Sequence, residues 1–259
     1  MGAPMLAALR VAGLDASGFD IRPPSEFGEL TAVMTDDVAG FKDKIHTLIT
    51  VVRDIAQTED VLFGKQGFAN APRLTHILIC STLSPRYLMA LRARVPQHIA
   101  MIDAPMSGAQ IAAEQARLSF MLGGEQDELK VLDPVLKAMG KHFHHMGSFG
   151  AGMQAKVLNN LLAASSTAMT RLVLDWADKT GLDEAALLNL IDTSSGQNWF
   201  ASGFEHIEFA RDGYEDDNTM GILVKDVDSA LDAAPEGADL TMPKAVRDLI
   251  NSLRPHKRQ

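Results

Sequence analysis

The sequence contains a single cysteine, Cys80, among its 259 residues, so no disulfide bond can form within the chain. Such a composition is compatible with a reducing compartment. No apolar run approaches the roughly 20 residues that cross a bilayer as a helix. The N-terminal apolar segment has no basic region before it and is interrupted by Arg10, unlike a signal peptide. We therefore expect a protein that resides in the cytoplasm and has no membrane partner.

Basic residues are also scarce, with 24 Lys and Arg against 33 Asp and Glu and a net charge of −9. Neutralising the phosphates of a nucleic acid needs a basic face, which this composition does not provide. Nucleic acid is therefore excluded as an expected partner. The short basic run at the C-terminus predicts a solvated tail and consists of Arg254, His256, Lys257 and Arg258.

Metal ligands are not grouped in a convincing pattern. His142, His144 and His145 stand close together, but neither an acidic residue nor a cysteine accompanies them. Alternation would direct His142 and His144 to one face of a strand. The pattern predicts a polar edge strand, and no metal site is expected.

The first 145 residues or so alternate helical stretches with short apolar runs bounded by turn residues, and 46% of the whole chain is apolar. This alternation is typical of an α/β domain with a mostly parallel sheet, whose strands are covered on both faces. Strands are predicted at residues 19–23, 47–52, 76–80, 99–103, 118–122 and about 141–145.

A glycine-rich break at residues 147–152 marks a change of character. A long helical pattern follows from residue 153 to about 179 and ends before Gly181. Asp183 is placed to cap the next helix, and the remaining sequence is mainly helical. We therefore expect an α/β domain over residues 1–149 and an all-α domain over residues 150–259.

Lys156, Asn159 and Asn160 are spaced so that they share one face near the start of the long helix. Adjacent asparagines are poor helix formers, and their presence inside a strong helical run suggests a site. A solvated lysine followed by two turn-forming asparagines would be the simpler interpretation.

A second candidate segment, Asp-Ala-Pro-Met-Ser-Gly-Ala, occupies residues 103–109. Ser107 supplies a hydroxyl group, and Gly108 allows backbone N–H groups to approach an anion closely. An ordinary turn between a strand and a helix would explain the same residues.

These segments resemble the motifs of the β-hydroxyacid dehydrogenase family, which includes 3-hydroxyisobutyrate dehydrogenase and tartronate semialdehyde reductase. Residues 150–160 fill every position of G-x-G-x-x-x-K-x-x-N-N. Residues 103–109 resemble D-x-P-V-S-G-G except at Met106 and Ala109, and residues 113–124 resemble A-x-x-G-x-L-x-x-M-x-G-G except at Ala116. Similar matches at residues 81–85, 194–199 and 225–226 follow in the family's order.

The resemblance implies a Rossmann-like dinucleotide-binding domain, similar to that of 6-phosphogluconate dehydrogenase, followed by an all-helical substrate and oligomerisation domain. It implies hydride transfer between NAD or NADP and a small β-hydroxy acid or its semialdehyde, in a homodimer or homotetramer. Lys156 would be the general acid and base. The substrate would be bound by Ser107, Gly108, Ala109, Asn159 and Asn160. The residues implied to bind the cofactor are Gly2, Met5, Asp20, Arg22, Val52, Thr82 and Lys225.

The cofactor end matches least well. Residues 1–5 resemble only the tail of the fingerprint G-x-G-x-M-G-x-P-M, so the first strand of the domain is expected to be missing or truncated. Asp20 would accept hydrogen bonds from the ribose and repel the 2′-phosphate of NADP, which favours NAD, although Arg22 could bind that phosphate. The alternative is a cofactor-deficient, non-catalytic relative that serves as a binding or scaffolding protein.

Overall fold

The computed structural model describes residues 1–257 and divides the chain into two compact units, Met1–Lys156 and Val157–Gln259. The division falls within one helix, Ala151–Thr180, and the boundary predicted between residues 149 and 150 precedes that helix. Within residues 1–257, none of the helices combines the length and the apolar character needed to cross a membrane.

The first unit is an α/β structure. Its strands are β1 (Gly18–Phe19), β2 (Met34–Thr35), β3 (Thr47–Thr50), β4 (His76–Ile79), β5 (Ala100–Asp103), β6 (Met106–Ser107), β7 (Leu118–Gly123) and β8 (Gly140–Gly147). Its α-helices are α1 (Gly2–Val11), α2 (Val38–Lys42), α3 (Ile55–Leu62), α4 (Pro85–Arg92), α5 (Ala109–Glu114), α6 (Gln126–Val131), α7 (Asp133–Met139) and the start of α8 (Ala151–Thr180). Two 3-10 helices, Pro24–Val33 and Phe68–Asn70, complete the unit.

The strands form two sheets. β1 and β2 pair in parallel as a two-stranded sheet, and the larger sheet has the order β3, β4, β5, β7, β6, with β8 paired to β7. β3, β4 and β5 are parallel, whereas β7 is antiparallel to both β5 and β6. The carboxyl ends of β3, β4 and β5 therefore meet at one edge of the sheet, where open α/β sheets bind their ligands.

The strands predicted from residue 47 onward are confirmed with shifts of a few residues at their ends. The strand predicted at residues 19–23 was largely wrong, because only Gly18–Phe19 is strand and Asp20 follows it directly. β3 ends at Thr50, so Val52 lies just beyond the strand. The prediction of a polar edge strand is also confirmed, since β8 pairs only with β7 within the described residues and is largely exposed.

Helices cover both faces of the larger sheet. The central strands β4 and β5 are almost completely buried, as expected for strands with two covered faces. Ile77 and Ile79 pack into one apolar cluster and Leu78 into another, which also contains Ile102 and Phe120. The rigid centre of the sheet therefore supports the loops that follow β4 and β5.

The second unit is all-α in its described residues, as predicted. It comprises the rest of α8, α9 (Glu184–Asp192), α10 (Trp199–Gly203), α11 (Thr219–Asp232) and α12 (Thr241–Asn251). α8 ends at Thr180 before Gly181, whose φ of 71° terminates the helix. The Asp183 carboxylate accepts a hydrogen bond from the Ala186 N–H at 2.7 Å, which confirms the predicted cap of α9.

The prediction of a solvated C-terminal tail was wrong for His256. Its ring lies between the carboxylates of Asp175, at 3.2 Å, and Glu184, at 2.6 Å, and is buried. The buried guanidinium of Arg171 also donates to the carbonyl oxygen of Arg254 at 2.5 Å. These contacts hold the segment before Lys257 against α8 and α9, whereas Arg258 lies outside the described residues.

Candidate active site

One buried carboxylate connects the two candidate segments of the first unit. Asp103 ends β5, and its Oδ1 accepts a hydrogen bond from the Gly150 N–H at 2.7 Å. Its Oδ2 accepts another from the Met153 N–H at 2.5 Å. The segment that leads to Ser107 and the beginning of α8 are thus attached to the same side chain, which satisfies backbone donors that a helix N-terminus otherwise leaves unpaired.

The space around Asp103 is filled. A Cβ added at Gly123 would lie 2.2 Å from its Oδ1, and one added at Gly152 would lie 2.4 Å from the Met121 carbonyl oxygen and 2.9 Å from Oδ2 of Asp103. Side chains cannot fit at either position without displacing backbone or this carboxylate. The glycines of two sequence motifs are therefore explained by close packing around Asp103.

Asp103 is fully inaccessible to solvent, with 0% exposure. Burial raises the pKa of its carboxyl to about 6, because desolvation outweighs the hydrogen bonds from Gly150 and Met153 that lower the pKa. A carboxylate that is costly to ionise thus holds the start of α8.

The turn between β6, which ends at Ser107, and α5 has an unusual backbone. Gly108 has a φ of 131°, and the non-glycine residue Ala109 follows it with a φ of 55° at the start of α5. Ala116, at the other departure from the family pattern, has a φ of 49°. In both places where the family has glycine, this chain therefore has an alanine in the left-handed region that favours glycine.

Lys156 lies one helical turn after Met153 on α8 and is buried, with 7% exposure. A lysine is rarely so inaccessible to solvent, and a buried ionisable side chain is a candidate for a functional group. The simpler interpretation of a solvated Lys156 is therefore wrong. Asn160 stands one further turn along the same helix and is also buried, whereas Asn159 is exposed.

In the second unit, Asn160 is held by a residue of α11. Its Nδ2 donates to Oδ2 of Asp226 at 2.5 Å, and its Oδ1 accepts from Nδ2 of Asn159 at 3.3 Å. The Lys225 ammonium forms an ion pair with Asp226 and lies 3.0 Å from its Oδ1. This oxygen accepts no hydrogen bond of regular geometry from residues 1–257. Asp226 therefore contacts both Asn160 and Lys225, two residues that the sequence assigned to the site.

Residues predicted to bind the cofactor follow the strands of the first unit. Val52 follows β3, Thr82 follows β4 and Asp20 follows β1. Asp20 accepts hydrogen bonds from the backbone N–H, Nε and Nη2 of Arg22, at 3.0, 3.2 and 3.3 Å. Burial of Asp20 opposes its ionisation, but the hydrogen bonds from Arg22 outweigh this effect and lower its pKa.

Met5 and Gly2, the two N-terminal residues assigned to the cofactor, differ in how closely they are packed. Met5 is buried in the apolar cluster beneath α1. A Cβ added at Gly2 would meet only Val51, at 3.8 Å, which is an ordinary contact. The last glycine of the dinucleotide-binding fingerprint, which Gly2 matches, permits close packing of the helix, and no such close contact is present at Gly2.

These positions are compatible with a dinucleotide. Thr82 supplies a hydroxyl group after β4 of the larger sheet, and the carboxylate of Asp20, after β1 of the smaller sheet, is stabilised in its charged form, as hydrogen bonds from a ribose require. Sequence reasoning did not assign a role to Asp103 or Asp226, although both lie inside motifs. Their signal was an acidic residue at the end of an apolar strand and another directly after Lys225.

Comparison with known families assigns the two parts of the chain. Residues 1–147 match the NAD binding domain of 6-phosphogluconate dehydrogenase, and residues 150–259 match the domain described as NAD-binding of NADP-dependent 3-hydroxyisobutyrate dehydrogenase. Together the two matches span nearly the whole chain.

Individual proteins agree with this assignment. The chain is 32% identical to 3-hydroxyisobutyrate dehydrogenase of Pseudomonas aeruginosa over 203 residues, which cover 77% of this chain and 68% of that protein. It is 30% identical to an NAD-dependent L-serine dehydrogenase of the same organism over 253 residues, covering 93% of this chain and 84% of that protein.

A solved structure of Mycobacterium tuberculosis 3-hydroxyisobutyrate dehydrogenase with L-serine superposes with a TM-score of 0.78 and 26% identity, covering 98% of this chain and 92% of that chain. No support emerges for a non-catalytic, cofactor-deficient relative. The chain therefore belongs to the β-hydroxyacid dehydrogenase family and is an NAD(P)-dependent hydroxyacid oxidoreductase.

Proposed function

We propose that the substrate is a small β-hydroxy acid or the corresponding semialdehyde and that Lys156 is the general acid and base. The observation that carries this proposal is the attachment of the Ser107 segment and the Lys156 helix to one carboxylate, Asp103. An anion-binding loop and a buried amine are thereby tied to one rigid support. Such pre-organisation is what a positioned proton transfer requires.

The proton moves between Lys156 and the substrate oxygen. On oxidation, the neutral Lys156 amine takes the proton of the substrate hydroxyl, and on reduction the ammonium returns it to the carbonyl oxygen. The nicotinamide ring, when bound, accepts or supplies the hydride. One N–H of the Asn160 amide is directed to Asp226. The second N–H of the same amide is therefore the donor that the substrate oxygen would use.

The substrate carboxylate binds at Ser107, Gly108 and Ala109. The Ser107 hydroxyl and the backbone N–H groups of Gly108 and Ala109 are donors suited to an anion. The backbone conformation at Gly108 and Ala109, with positive φ at both, supports this use of the loop. The family resemblance also assigns a substrate contact to Asn159, which is exposed and donates to Oδ1 of Asn160.

Relatives support the size and chemistry of the substrate. The names of two similar proteins specify 3-hydroxyisobutyrate and L-serine. Both molecules carry a carboxylate and a hydroxyl group on the carbon two bonds away from it. This shared pattern matches one anion-binding loop and one lysine, and it leaves the substituent on the central carbon as the variable feature.

The test is the variant Lys156→Ala. We expect kcat for oxidation of 3-hydroxyisobutyrate and L-serine to fall by at least about 100-fold, the scale of a general acid and base, while NADH still binds. Lys179→Ala, at the exposed end of the same helix, is the control and keeps full activity. Undiminished turnover in Lys156→Ala would refute the role of this residue.

We infer that NAD is preferred over NADP. Asp20 stands at the end of β1, and three groups of Arg22 are directed to its carboxylate. This pairing supports a charged Asp20 that repels a 2′-phosphate and an Arg22 that is engaged elsewhere. Titration with NADH and NADPH, followed by nicotinamide fluorescence, tests the preference, and equal or tighter binding of NADPH would reverse it.

We propose that two copies of the chain associate through α8. Four large apolar side chains, all about half exposed or more, recur at helical spacing along one face of this helix: Leu158, Leu162, Met169 and Trp176. An exposed stripe of large apolar side chains is typical of a surface that a partner covers, and two-fold homodimers are the commonest oligomers. The same stripe could serve a homotetramer.

Oligomeric state is measured by light scattering during gel filtration. Leu162→Glu places a charge in the stripe and should give a monomer, whereas Val11→Glu, at a highly exposed apolar residue of the first unit, should not change the mass. A monomeric wild type would refute the dimer.

We propose a cytoplasmic location. The single cysteine is free and buried, so folding needs no oxidising compartment. Fractionation of cells that express the protein from its own gene tests this location, and recovery in a secreted or membrane fraction would contradict it.

A further inference from the structure

We propose that Asp103 is a positioning residue that sets the placement of Lys156 relative to Ser107, and that protonation of Asp103 switches this placement off. The proposal deepens the proposed function and rests on the roles of Lys156 and Ser107 given there. It concerns only residues of the first unit.

The contacts of Asp103 couple the two segments directly. Ser107, the last residue of β6, lies four residues after Asp103, and Met153, whose N–H bonds to Oδ2, precedes Lys156 by one helical turn. Both carboxylate oxygens are used, one for Gly150 and one for Met153. A displacement of about 1 Å between catalytic groups is enough to lower turnover strongly, so these two bonds bear on the rate.

The surroundings leave the carboxylate no alternative position. Gly123 and Gly152 approach so closely that a Cβ at either would come within 3 Å of Asp103. Asp103 is also paired on both sides within the sheet, with Ile79 of β4 and Gly123 of β7. The side chain therefore has little room to reorient, and a change of its charge is the direct way to alter its hydrogen bonds.

Protonation weakens one of the two acceptors. In a neutral carboxyl group one oxygen becomes an O–H donor, and it accepts a hydrogen bond less well than a carboxylate oxygen does. The bond from either Gly150 or Met153 is then weakened, and the start of α8 is loosened on that side. Burial raises the pKa of Asp103 to about 6, so this change falls within an accessible pH range.

Other ionisable groups lie on the segments packed against Asp103. His76 begins β4 and pairs with Glu128 at 2.8 Å, and Nε2 of His145 on β8 lies 3.0 Å from the carbonyl oxygens of both Gly124 and Gly147. Lys156 itself lies on α8. The experiment must therefore separate Asp103 from two histidines and from the catalytic amine.

Measuring the reaction in the direction of reduction distinguishes the effect of titrating Asp103 from the effect of titrating Lys156. Reduction requires protonated Lys156, so titration of the amine can lower this rate only as pH rises. A loss of reduction rate at low pH must then have another origin. We expect kcat for reduction of methylmalonate semialdehyde by NADH to fall about five- to tenfold between pH 7 and pH 5, corrected for the acid decay of NADH.

Variants assign the origin of this acid limb. Asp103→Asn cannot be protonated and offers only one acceptor, so its kcat should be at least about tenfold lower at pH 7 and should lack the acid limb. His76→Gln and His145→Gln should retain the limb, and Asp133→Asn, at an exposed carboxylate paired with Lys137, is the control for the loss of a charge. A limb that survives in Asp103→Asn, or vanishes in a histidine variant, overturns the proposal.

The wild-type protein provides a second measurement that depends on neither folding of the variants nor turnover. Carbon NMR of aspartate labelled at the side-chain carboxyl should show one carboxyl titrating near pH 6, with the amide signals of Gly150 and Met153 moving along with it. Titration of Asp103 at an ordinary pH near 4, or amides that stay fixed, overturns the proposal. Absence of turnover with any hydroxy acid would instead refute the proposed function and leave this titration to decide on Asp103.

Discussion

The side-chain amide of Asn160 donates a hydrogen bond to Oδ2 of Asp226 across 2.5 Å, and both side chains are at least nine-tenths buried. A carboxylate only accepts hydrogen bonds, so the atom of Asn160 that faces it must be Nδ2. The orientation of the amide is thus determined by Asp226, and its second N–H and its carbonyl oxygen are directed elsewhere.

We predict that Asp226→Asn lowers kcat by about 10- to 100-fold, because a hydrogen bond to a charged group contributes about 1.5–3 kcal/mol. An amide at position 226 can pair with either end of the Asn160 amide, so the orientation is no longer determined. Steady-state kinetics with 3-hydroxyisobutyrate measures the effect, which should lie mainly in kcat if Asn160 contacts the reacting oxygen.

The control for this variant is Asp228→Asn on the same helix, an exposed carboxylate that pairs with Arg247. Its activity should be unchanged. Because Asp226 acts through Asn160, the double variant Asn160→Ala with Asp226→Asn should be no slower than Asn160→Ala alone. Additive losses would show that Asp226 has an independent role.

Much of the fold was predictable from local patterns. Short apolar runs bounded by turn residues identified β3, β4, β5 and β7, because buried strands have few alternatives in composition, whereas β8 was recognised as a polar edge strand. Gly181 and Asp183 marked the end of α8 and the start of α9 for reasons of local backbone chemistry. The fragmentary N-terminal fingerprint was less informative, and β1 proved to be only two residues long.

The supporting contacts of the site could not be predicted in the same way. Asp103 meets Gly150 across 47 residues of sequence, and Asp226 meets Asn160 across 66. Such pairs depend on tertiary packing, and a single sequence does not reveal which distant residues lie close together in space. The burial of His256 between Asp175 and Glu184 was missed for the same reason, since a charged residue near a chain end is usually solvated.

A change at Asp20 should alter cofactor preference. In Asp20→Ala, the ribose loses a charged acceptor and Arg22 loses the acceptor of its two side-chain hydrogen bonds, so more of the guanidinium becomes available to a 2′-phosphate. We predict that NADH binds about tenfold more weakly and that the NADPH to NADH affinity ratio rises, as measured by fluorescence titration. Asp15→Ala, at a fully exposed carboxylate, should leave both affinities unchanged, and an unaltered ratio in Asp20→Ala would remove this residue from the ribose site.

Stability should respond to pH at Asp103 in the sense opposite to activity. Its pKa is raised from 3.8 to about 6 in the folded protein, so the folded state binds the proton more tightly than the unfolded chain. The ionised form therefore costs stability above pH 6, and this cost is relieved as pH falls through 6. Relative to Asp103→Asn, the wild type should gain about 1 kcal/mol in free energy of unfolding between pH 7.5 and 5.

Urea unfolding followed by circular dichroism at several pH values measures this difference. Comparison with Asp103→Asn cancels the contributions of all other groups, including those whose pKa is lowered, such as Asp20 and Glu59. If the free energy of unfolding of the wild type, relative to Asp103→Asn, decreased as pH falls, the raised pKa of Asp103 would be contradicted. If the free energy of unfolding rises while the reduction rate falls at low pH, the loss of activity comes from local release of α8 and not from acid unfolding.

Ala116 offers a test of backbone strain that is independent of catalysis. Its φ of 49° places a Cβ in the left-handed region, which costs a non-glycine residue about 1 kcal/mol or more. Ala116→Gly removes this strain at a smaller cost in unfolded-state entropy, so we predict a melting temperature higher by about 2–4 °C. The matched control is Ala186→Gly in helix α9, an exposed position where the same substitution should destabilise by about 1 kcal/mol. Because the two substitutions are chemically identical, opposite signs can arise only from the backbone conformation, and a loss of stability at both positions would show that Ala116 is not strained.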